Sequence, residues 1–360
     1  QPYSAFAQSK PTLAAGDYGK FETLGFAGSR GGLSPDGAWI AYPVTRSNRD
    51  NELRIARTAG SRETKAAAFG SSARFSADSA WLAYAIGMSE RDREKLTRDK
   101  KPIQNNLGLM NLTTGEMTTI EGIGSFSFDD TGKYLAMKRY APERAATAAP
   151  PNPDEPVGAT LLVRALAAGS DASFGNVNEY AWQDEGRMLA MAISAAGKTG
   201  NGLQLLDPQT GVLRVLDSGE SIYSMLSWRE KGADLAALKS RTDEKREGRS
   251  QVLLAWTELG TSSEQRHVFD HGADTAFPAD HRLVTYRRPA WSNDGETIFA
   301  GVAAWSAKPE KKEDDKSTAD DVPDVNIWHP EDTEVMPLQQ KSAASARPRN
   351  VIGAWHLGSG

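Results

Sequence analysis

The sequence predicts an all-β chain, a β-propeller of four-stranded blades with about six blades present and the last one incomplete. Three observations predict it. A turn followed by a short apolar strand recurs six times, a second hairpin follows the motif, and the copies are spaced at about the length of one blade.

The first copy is Leu33-Ser-Pro-Asp-Gly-Ala-Trp-Ile-Ala-Tyr42, and the second is Phe75-Ser-Ala-Asp-Ser-Ala-Trp-Leu-Ala-Tyr84. The third is Phe126-Ser-Phe-Asp-Asp-Thr-Gly-Lys-Tyr-Leu-Ala-Met137. Weaker copies run Ala181–Met191, Leu226–Leu238 and Ala290–Ala300. Aligned on the position before the apolar pair, the anchors are Trp39, Trp81, Tyr134, Met188, Leu235 and Ile298, with spacings of 42, 53, 54, 47 and 63. The Asp and Gly residues supply the side-chain hydrogen bonds and positive φ angles of a tight hairpin. The apolar run after them suits an inner strand buried on both faces. On this reading Asp36, Asp78, Asp130, Asp184 and Asp294 are turn residues rather than catalytic carboxylates.

The second hairpins complete the blades. Leu107–Leu112 turns at Thr113-Thr-Gly-Glu116 and returns as Met117–Ile120. Leu203–Leu206 turns at Asp207-Pro-Gln-Thr-Gly211 and returns as Val212–Leu216. Leu161–Arg164 and Gln251–Trp256 fill the same slot. Insertions separate them: a charged stretch Ser89–Lys101 with a helical Arg91–Arg98, a Pro- and Ala-rich loop Ala141–Gly158, a charged hairpin tip Arg241–Ser250, and a mixed-charge run Lys308–Asp321. Asn350–Leu357 fits the third strand of a sixth blade, whose returning outer strand is missing. The expectation is therefore a lead-in segment over residues 1–20, a propeller over 21–360, and a natural chain that continues beyond residue 360.

Composition narrows the function. The net charge is −5, which leaves no electrostatic footprint for nucleic acid. No stretch approaches 18 consecutive apolar residues, so no membrane-spanning helix is predicted. With no cysteine there are no disulfides, thiolate metal sites or cysteine nucleophile. The chain opens on Gln1, consistent with a processed envelope protein, periplasmic or secreted, with the cytoplasm left open.

No residue set completes a catalytic site. A hydrolase elbow needs Gly-x-Ser-x-Gly, and the nearest approach, Ala27-Gly-Ser29-Arg-Gly31, starts with Ala and precedes no apolar helix. His267 and His271 are four residues apart and His281 follows, but on a strand that spacing puts two side chains about 13 Å apart. His329 and His356 each follow a Trp and look like strand positions with the aromatic packed inward. The sequence thus assigns no catalytic, cofactor-binding or metal-binding residue and implies no cofactor.

The ordered set Asp17-Tyr-Gly-Lys-Phe-Glu-Thr-Leu24, Leu33-Ser-Pro-Asp-Gly37, Phe75–Tyr84, Lys100-Lys-Pro-Ile-Gln-Asn-Asn-Leu-Gly-Leu109, Asp324-Val-Asn-Ile-Trp-His-Pro330, Gln339-Gln-Lys341 and Ala354-Trp-His356 resembles the N-terminal propeller of bacterial prolyl-oligopeptidase-family, dipeptidyl-peptidase-like serine peptidases. The resemblance implies a propeller of seven or eight blades that caps an α/β-hydrolase domain and restricts access to short peptides. The Ser-Asp-His triad would lie in that second domain, so no catalytic residue carries over to this chain. Dipeptidyl types also offer acidic propeller residues to the substrate amino terminus, and no such pair matches here. Two other readings remain: a TolB-like protein-binding scaffold in the bacterial envelope, since TolB-type propellers share the Ser-Pro-Asp-Gly turn, and a propeller hydrolase or lyase with its site in the central channel. The preferred peptide and the oligomeric state are not encoded in any motif.

Overall fold

The apolar runs that follow the turns become strands buried on both faces, and this fixes how the sheets stack. In a computed structural model of the chain, residues 12–25, 32–60, 64–142, 156–243, 245–305, 307, 335–345 and 349–358 are described. The chain divides into two compact units, Gln1–Asp217 and Ser218–Gly360.

In the first unit a short 3-10 turn, Ala15–Lys20, leads into a sheet of β1 (Glu22–Leu24), β2 (Trp39–Arg46), β3 (Glu52–Arg57) and β4 (Thr64–Ala68) in that order. The next sheet holds β5 (Gly70–Phe75), β6 (Trp81–Ile86), β7 (Asn106–Asn111) and β8 (Met117–Ile120), again in chain order. Between β6 and β7 the expected helix forms as α1 (Glu90–Arg98), capped by Ser89, whose hydroxyl accepts the Asp92 N–H at 3.1 Å.

The third and fourth repeats depart from separate four-stranded sheets. β9 (Ile123–Phe128), β10 (Tyr134–Arg139), β11 (Ala159–Ala165), β12 (Ser170–Trp182), β13 (Leu189–Ile193), β14 (Gly202–Asp207) and β15 (Val212–Ser218) form one seven-stranded antiparallel sheet. The 13-residue β12 joins the two repeats: its first half pairs with β11, its second with β13, and both registers shift near Val177. The strand bends there instead of ending, with Asn176 at φ 57°.

In the second unit β16 (Tyr223–Trp228), β17 (Leu235–Thr242), β18 (Arg249–Thr257) and β19 (Gln265–Phe269) form a four-stranded sheet. In the last sheet β20 (His281–Val284) and β21 (Ala290–Trp291) share one edge of β22 (Thr297–Ala304), and β23 (Val351–His356) takes the other. The Asn350–Leu357 stretch is thus the third layer of this sheet, as the sequence pattern implies. The helix α2 (Met336–Ser345) was not announced by any apolar period. Residues 308–334, which include the charged run, and residues 143–155 of the Pro-rich loop lie outside the described residues.

Packing follows the two-residue period of a strand. On β6, Leu82 and Tyr84 enter a core shared with Leu53 and Ile55, while Ala83 between them enters the next core with Leu109 and Met137. On β10, Leu135 and Met137 share that second core, and Ala136 faces the third with Leu161 and Met191. The last two sheets meet over Leu238, Leu253, Ile298 and Trp355. The second sheet therefore has apolar side chains on both faces, one in the core it shares with the first sheet and one in the core it shares with the third.

Tyr84 stands directly opposite Gly108 in the β6–β7 register. A Cβ at Gly108 would lie 2.3 Å from the ring, so the buried tyrosine occupies the space that the glycine leaves. Gly108→Ala should push the ring off this site and lower stability by about 2–3 kcal/mol, read as a fall in thermal midpoint with the circular dichroism of the folded state retained.

Candidate functional site

One construction recurs at one end of the repeats and positions everything near it. In the first turn the Ser34 N–H donates to the Trp39 carbonyl at 2.9 Å and the Gly37 N–H donates to the Ser34 carbonyl at 2.8 Å. The Ser34 hydroxyl accepts the Trp39 N–H at 2.9 Å and donates to Asp36 at 2.6 Å, and Asp36 accepts the Ala38 N–H at 3.0 Å. The second turn repeats this: Ser76 accepts the Trp81 N–H at 2.9 Å, donates to Asp78 at 2.6 Å, and Asp78 accepts the Ala80 N–H at 3.0 Å. In the sixth, Ser292 accepts the Thr297 N–H at 3.0 Å and Asp294 accepts the Glu296 N–H at 3.0 Å. The fourth residue of these turns has positive φ: Gly37 at 71°, Ser79 at 59° and Gly295 at 78°.

The remaining turns vary the theme and correct the sequence alignment. In the third, Asp129 replaces the serine and accepts the Tyr134 N–H at 2.8 Å. Asp130, expected to serve its own turn, instead accepts the Glu185 N–H of the fourth turn at 2.6 Å. Gln183 opens that fourth turn, its Oε1 meeting the Met188 N–H at 3.4 Å. In the fifth, Arg229 donates its N–H to the Asp234 carbonyl at 2.8 Å, and its guanidinium pairs with the Asp234 carboxylate. Hydrogen bonding places Asp234 and Thr297, not Leu235 and Ile298, opposite Trp39, Trp81, Tyr134 and Met188. The apolar pair starts one residue later in those copies, which the apolar pattern alone could not separate.

Successive turns within a unit also touch. The Asp36 N–H donates to the Ser79 hydroxyl at 3.0 Å, and a Cβ on Gly132 would lie 2.9 Å from Asp78. In the second unit a Cβ on Gly295 would lie 3.0 Å from the Arg229 guanidinium. Half-buried indoles reach between repeats beside these turns: Trp182 donates to the Ser127 carbonyl within the seven-stranded sheet and Trp291 to the Ser227 carbonyl of the neighbouring sheet, each at 3.1 Å. The rim of turns is thus one polar, hydrogen-bonded surface in each unit. Its carboxylates serve backbone N–H groups, which is turn chemistry rather than acid–base chemistry.

The histidines do not gather at one centre: His267 and His356 line one cavity, and His271 and His281 do not line it. His267 lies on β19 with Nε2 3.2 Å from the Thr257 hydroxyl. His271 follows the strand, and its Nε2 bonds the Ser250 hydroxyl. Thr257 and Ser250 stand seven positions apart on β18, roughly 23 Å at a strand's rise, so the two imidazoles serve opposite ends of one strand. His281 pairs with Asp280 at 2.7 Å, and His356 meets the Thr297 hydroxyl at 3.0 Å while its neighbour Trp355 packs inward. Among the described residues no group of three His, Asp or Glu side chains could hold a metal ion. Ser29 and His329 lie outside the described residues.

No local signal marks the Ser250–His271 pair, because its members are 21 residues apart on different elements. It has the hydroxyl–imidazole pairing of a nucleophile and its base, but Ser250 is fully buried, and no substrate carbonyl reaches it. Cavities open on the surface among the described residues. One of about 510 Å³ lies between the first two sheets, among Arg49, Asn51, Glu90 and Asn105. One of about 550 Å³ lies among His267, Glu296 and His356, and one of about 480 Å³ among Arg241, Arg246, His271 and Trp305.

This is an all-β chain of successive antiparallel sheets, mostly four-stranded. No family model matches the chain, and no curated protein matches it. Its neighbours among solved structures include the β-propeller domain of the Trilobed protease from Pyrococcus furiosus, at 16% identity over 68% of this chain and 64% of that one, with a TM-score of 0.37. The uncomplexed acylaminoacyl peptidase of Pyrococcus horikoshii is 12% identical over 79% of this chain and 43% of its own, with a TM-score of 0.40. TolB from Acinetobacter baumannii is 12% identical over 77% of this chain and 62% of its own, with a TM-score of 0.34. The structural neighbours therefore include propeller domains of prolyl-oligopeptidase-family peptidases, at low sequence identity. The chain spans less than two thirds of each of these proteins, and no activity transfers from them.

The turn carboxylates give the rim a defined acid response. Asp36 is held below the ordinary carboxylate value first by the Ser34 hydroxyl and then by the Ala38 N–H, and Asp294 first by the Ser292 hydroxyl and then by the Glu296 N–H. A carboxylate whose folded pKa is depressed stabilises the fold above its unfolded value, and that contribution is lost as pH falls through the folded one. Denaturant midpoints should therefore decline below about pH 3.8, and the Asp36→Asn, Asp294→Asn double variant should show a shallower decline than wild type.

Proposed function

We propose that this chain is the propeller part of a serine peptidase of the prolyl-oligopeptidase family, gating the access of short peptides to a hydrolase domain encoded outside residues 1–360. The observation that carries the reading is the repeat itself. Six copies of one turn, each followed by an apolar strand that pairs into an antiparallel sheet, fit the blades of a propeller, and the blades of a propeller surround a passage whose width excludes large substrates. The ordered motifs from Asp17 to His356 support it. The chemistry of such a part is steric and electrostatic: it admits an extended peptide end-on and excludes folded protein. A periplasmic or secreted location belongs to the same proposal. The alternative, a TolB-like scaffold that binds another protein, is favoured by the Leu33-Ser-Pro-Asp-Gly37 turn.

A fluorophosphonate probe, which reacts with activated serines, separates the two. Applied to the full-length product of the gene, it should label one serine beyond position 360, and residues 1–360 alone should stay unlabelled and inactive on dipeptidyl chromogenic substrates. Labelling within 1–360 would overturn the proposal. Absence of label on the full-length product would leave the scaffold.

A further inference from the structure

We propose that His271 is a proton-operated latch: neutral, it holds the 270–280 loop against β18, and protonated, it releases the loop and remodels the cavity the loop shares with the β17–β18 hairpin. This goes beyond the peptidase reading and does not rest on it.

The loop is held at several points, this side chain among them: Arg241 pairs with Asp270, Arg246 donates to the Ala279 carbonyl at 2.8 Å, the Trp305 backbone N–H donates to the Asp280 carbonyl at 2.7 Å, and Phe277 packs against the core between the last two sheets. His271 Nε2 bonds the fully buried Ser250 hydroxyl, and its ring packs against Phe277 at 5.1 Å and edge-on to Trp305 at 5.9 Å. The cavity of about 480 Å³ lies between this loop, Arg241–Arg246 and Trp305. Within the loop, Asp274 accepts the Ala276 N–H at 2.8 Å and Asp270 accepts the Gly272 N–H at 3.0 Å, so its shape is set locally, and the imidazole attaches its first turn to β18.

A charged imidazole is poorly matched to this place. Trp305 already carries two guanidinium groups near its ring, Arg246 at 4.7 Å and Arg282 at 5.8 Å. Asp270, the neighbouring carboxylate, is engaged at both oxygens by Arg241, each at 2.8 Å. From the hairpin, Asp243 accepts the Lys245 N–H at 2.8 Å. Among the described residues, the charged groups around His271 include Asp270 and Asp274 of its own loop, Arg241 of β17, Asp243 and Arg246 of the hairpin and, beside Trp305, Arg282 of β20. Burial is the largest influence on His271 and lowers its pKa from 6.5; Asp270 opposes this, and Arg241 and Arg246 add to it. The sign follows: the latch is at full strength above 6.5 and weakens as pH falls below it through the lowered folded value.

Amide hydrogen exchange on the whole chain between pH 7.5 and 5, with rates corrected for intrinsic pH dependence, tests this. Wild type should lose about ten-fold protection over residues 270–280 at pH 5, with β7 unchanged. His271→Gln, neutral throughout and still able to bond Ser250, should show the same loop protection at both ends of the range. Wild-type protection that does not change with pH, or an equal loss in His271→Gln, would overturn the proposal. Should the variant not fold, the imidazole C–H resonance of wild-type His271 decides: a midpoint below 6.5 supports the latch, and one at or above 6.5 overturns it.

Discussion

The structure depends on one hydrogen bond, made repeatedly. At the hairpin that opens each repeat, a side chain at the first turn position accepts the N–H of the residue that starts the buried strand. That N–H lies at the end of the ladder, where the backbone of the turn has no acceptor to spare. An unpaired buried N–H costs about 1–3 kcal/mol, so the first turn position is a polar acceptor in most copies: Ser34, Ser76, Asp129, Gln183 and Ser292. In the fifth copy Arg229 stands there, and the burden shifts to Asp234, which ties the turn to the Glu258 N–H at 2.8 Å.

Once that strand is anchored, the rest follows from its period of two. A strand such as β6 sends Leu82 and Tyr84 to one neighbour and Ala83 to the other, so each sheet needs a partner on both faces. The turns then touch their neighbours, and the indoles of Trp182 and Trp291 reach across to the preceding repeat. Between strands, guanidinium groups cover indole faces at cross-strand pairs, Arg57 on the half-buried Trp39 and Arg266 on the buried Trp256. At the open edge of the first sheet, Glu22 on β1 is shared by Arg46 and Arg54, which also hold Glu52. These pairs are partly exposed and orient the short β1 more than they stabilise it.

Much of this was legible in the residues, because the turn and the buried run are local signals. The Ser-Pro-Asp-Gly turn, the hairpins at Thr113–Glu116 and Asp207–Gly211, and the helix around Arg91–Arg98 all fall where composition and spacing put them. What was not legible depends on distance. The fusion of two repeats through β12 turns on a bend at Asn176, which no Gly-Pro signal marks. The shift from Leu235 to Asp234 is decided by a hydrogen bond, not by hydropathy. The Ser250–His271 pair is assembled by the β18–β19 register, and the role of Asp130 by the neighbouring turn.

The central claim is that the turn amides, and not only the strand ladders, hold the repeat. Residue-resolved amide exchange in the native protein at neutral pH tests it most directly, at the N–H groups of Trp39, Trp81, Tyr134 and Thr297. The account predicts that all four exchange as slowly as interior strand amides such as Leu82 and Leu135. Exchange of these four at rates typical of exposed loops, while the strands stay protected, would contradict it.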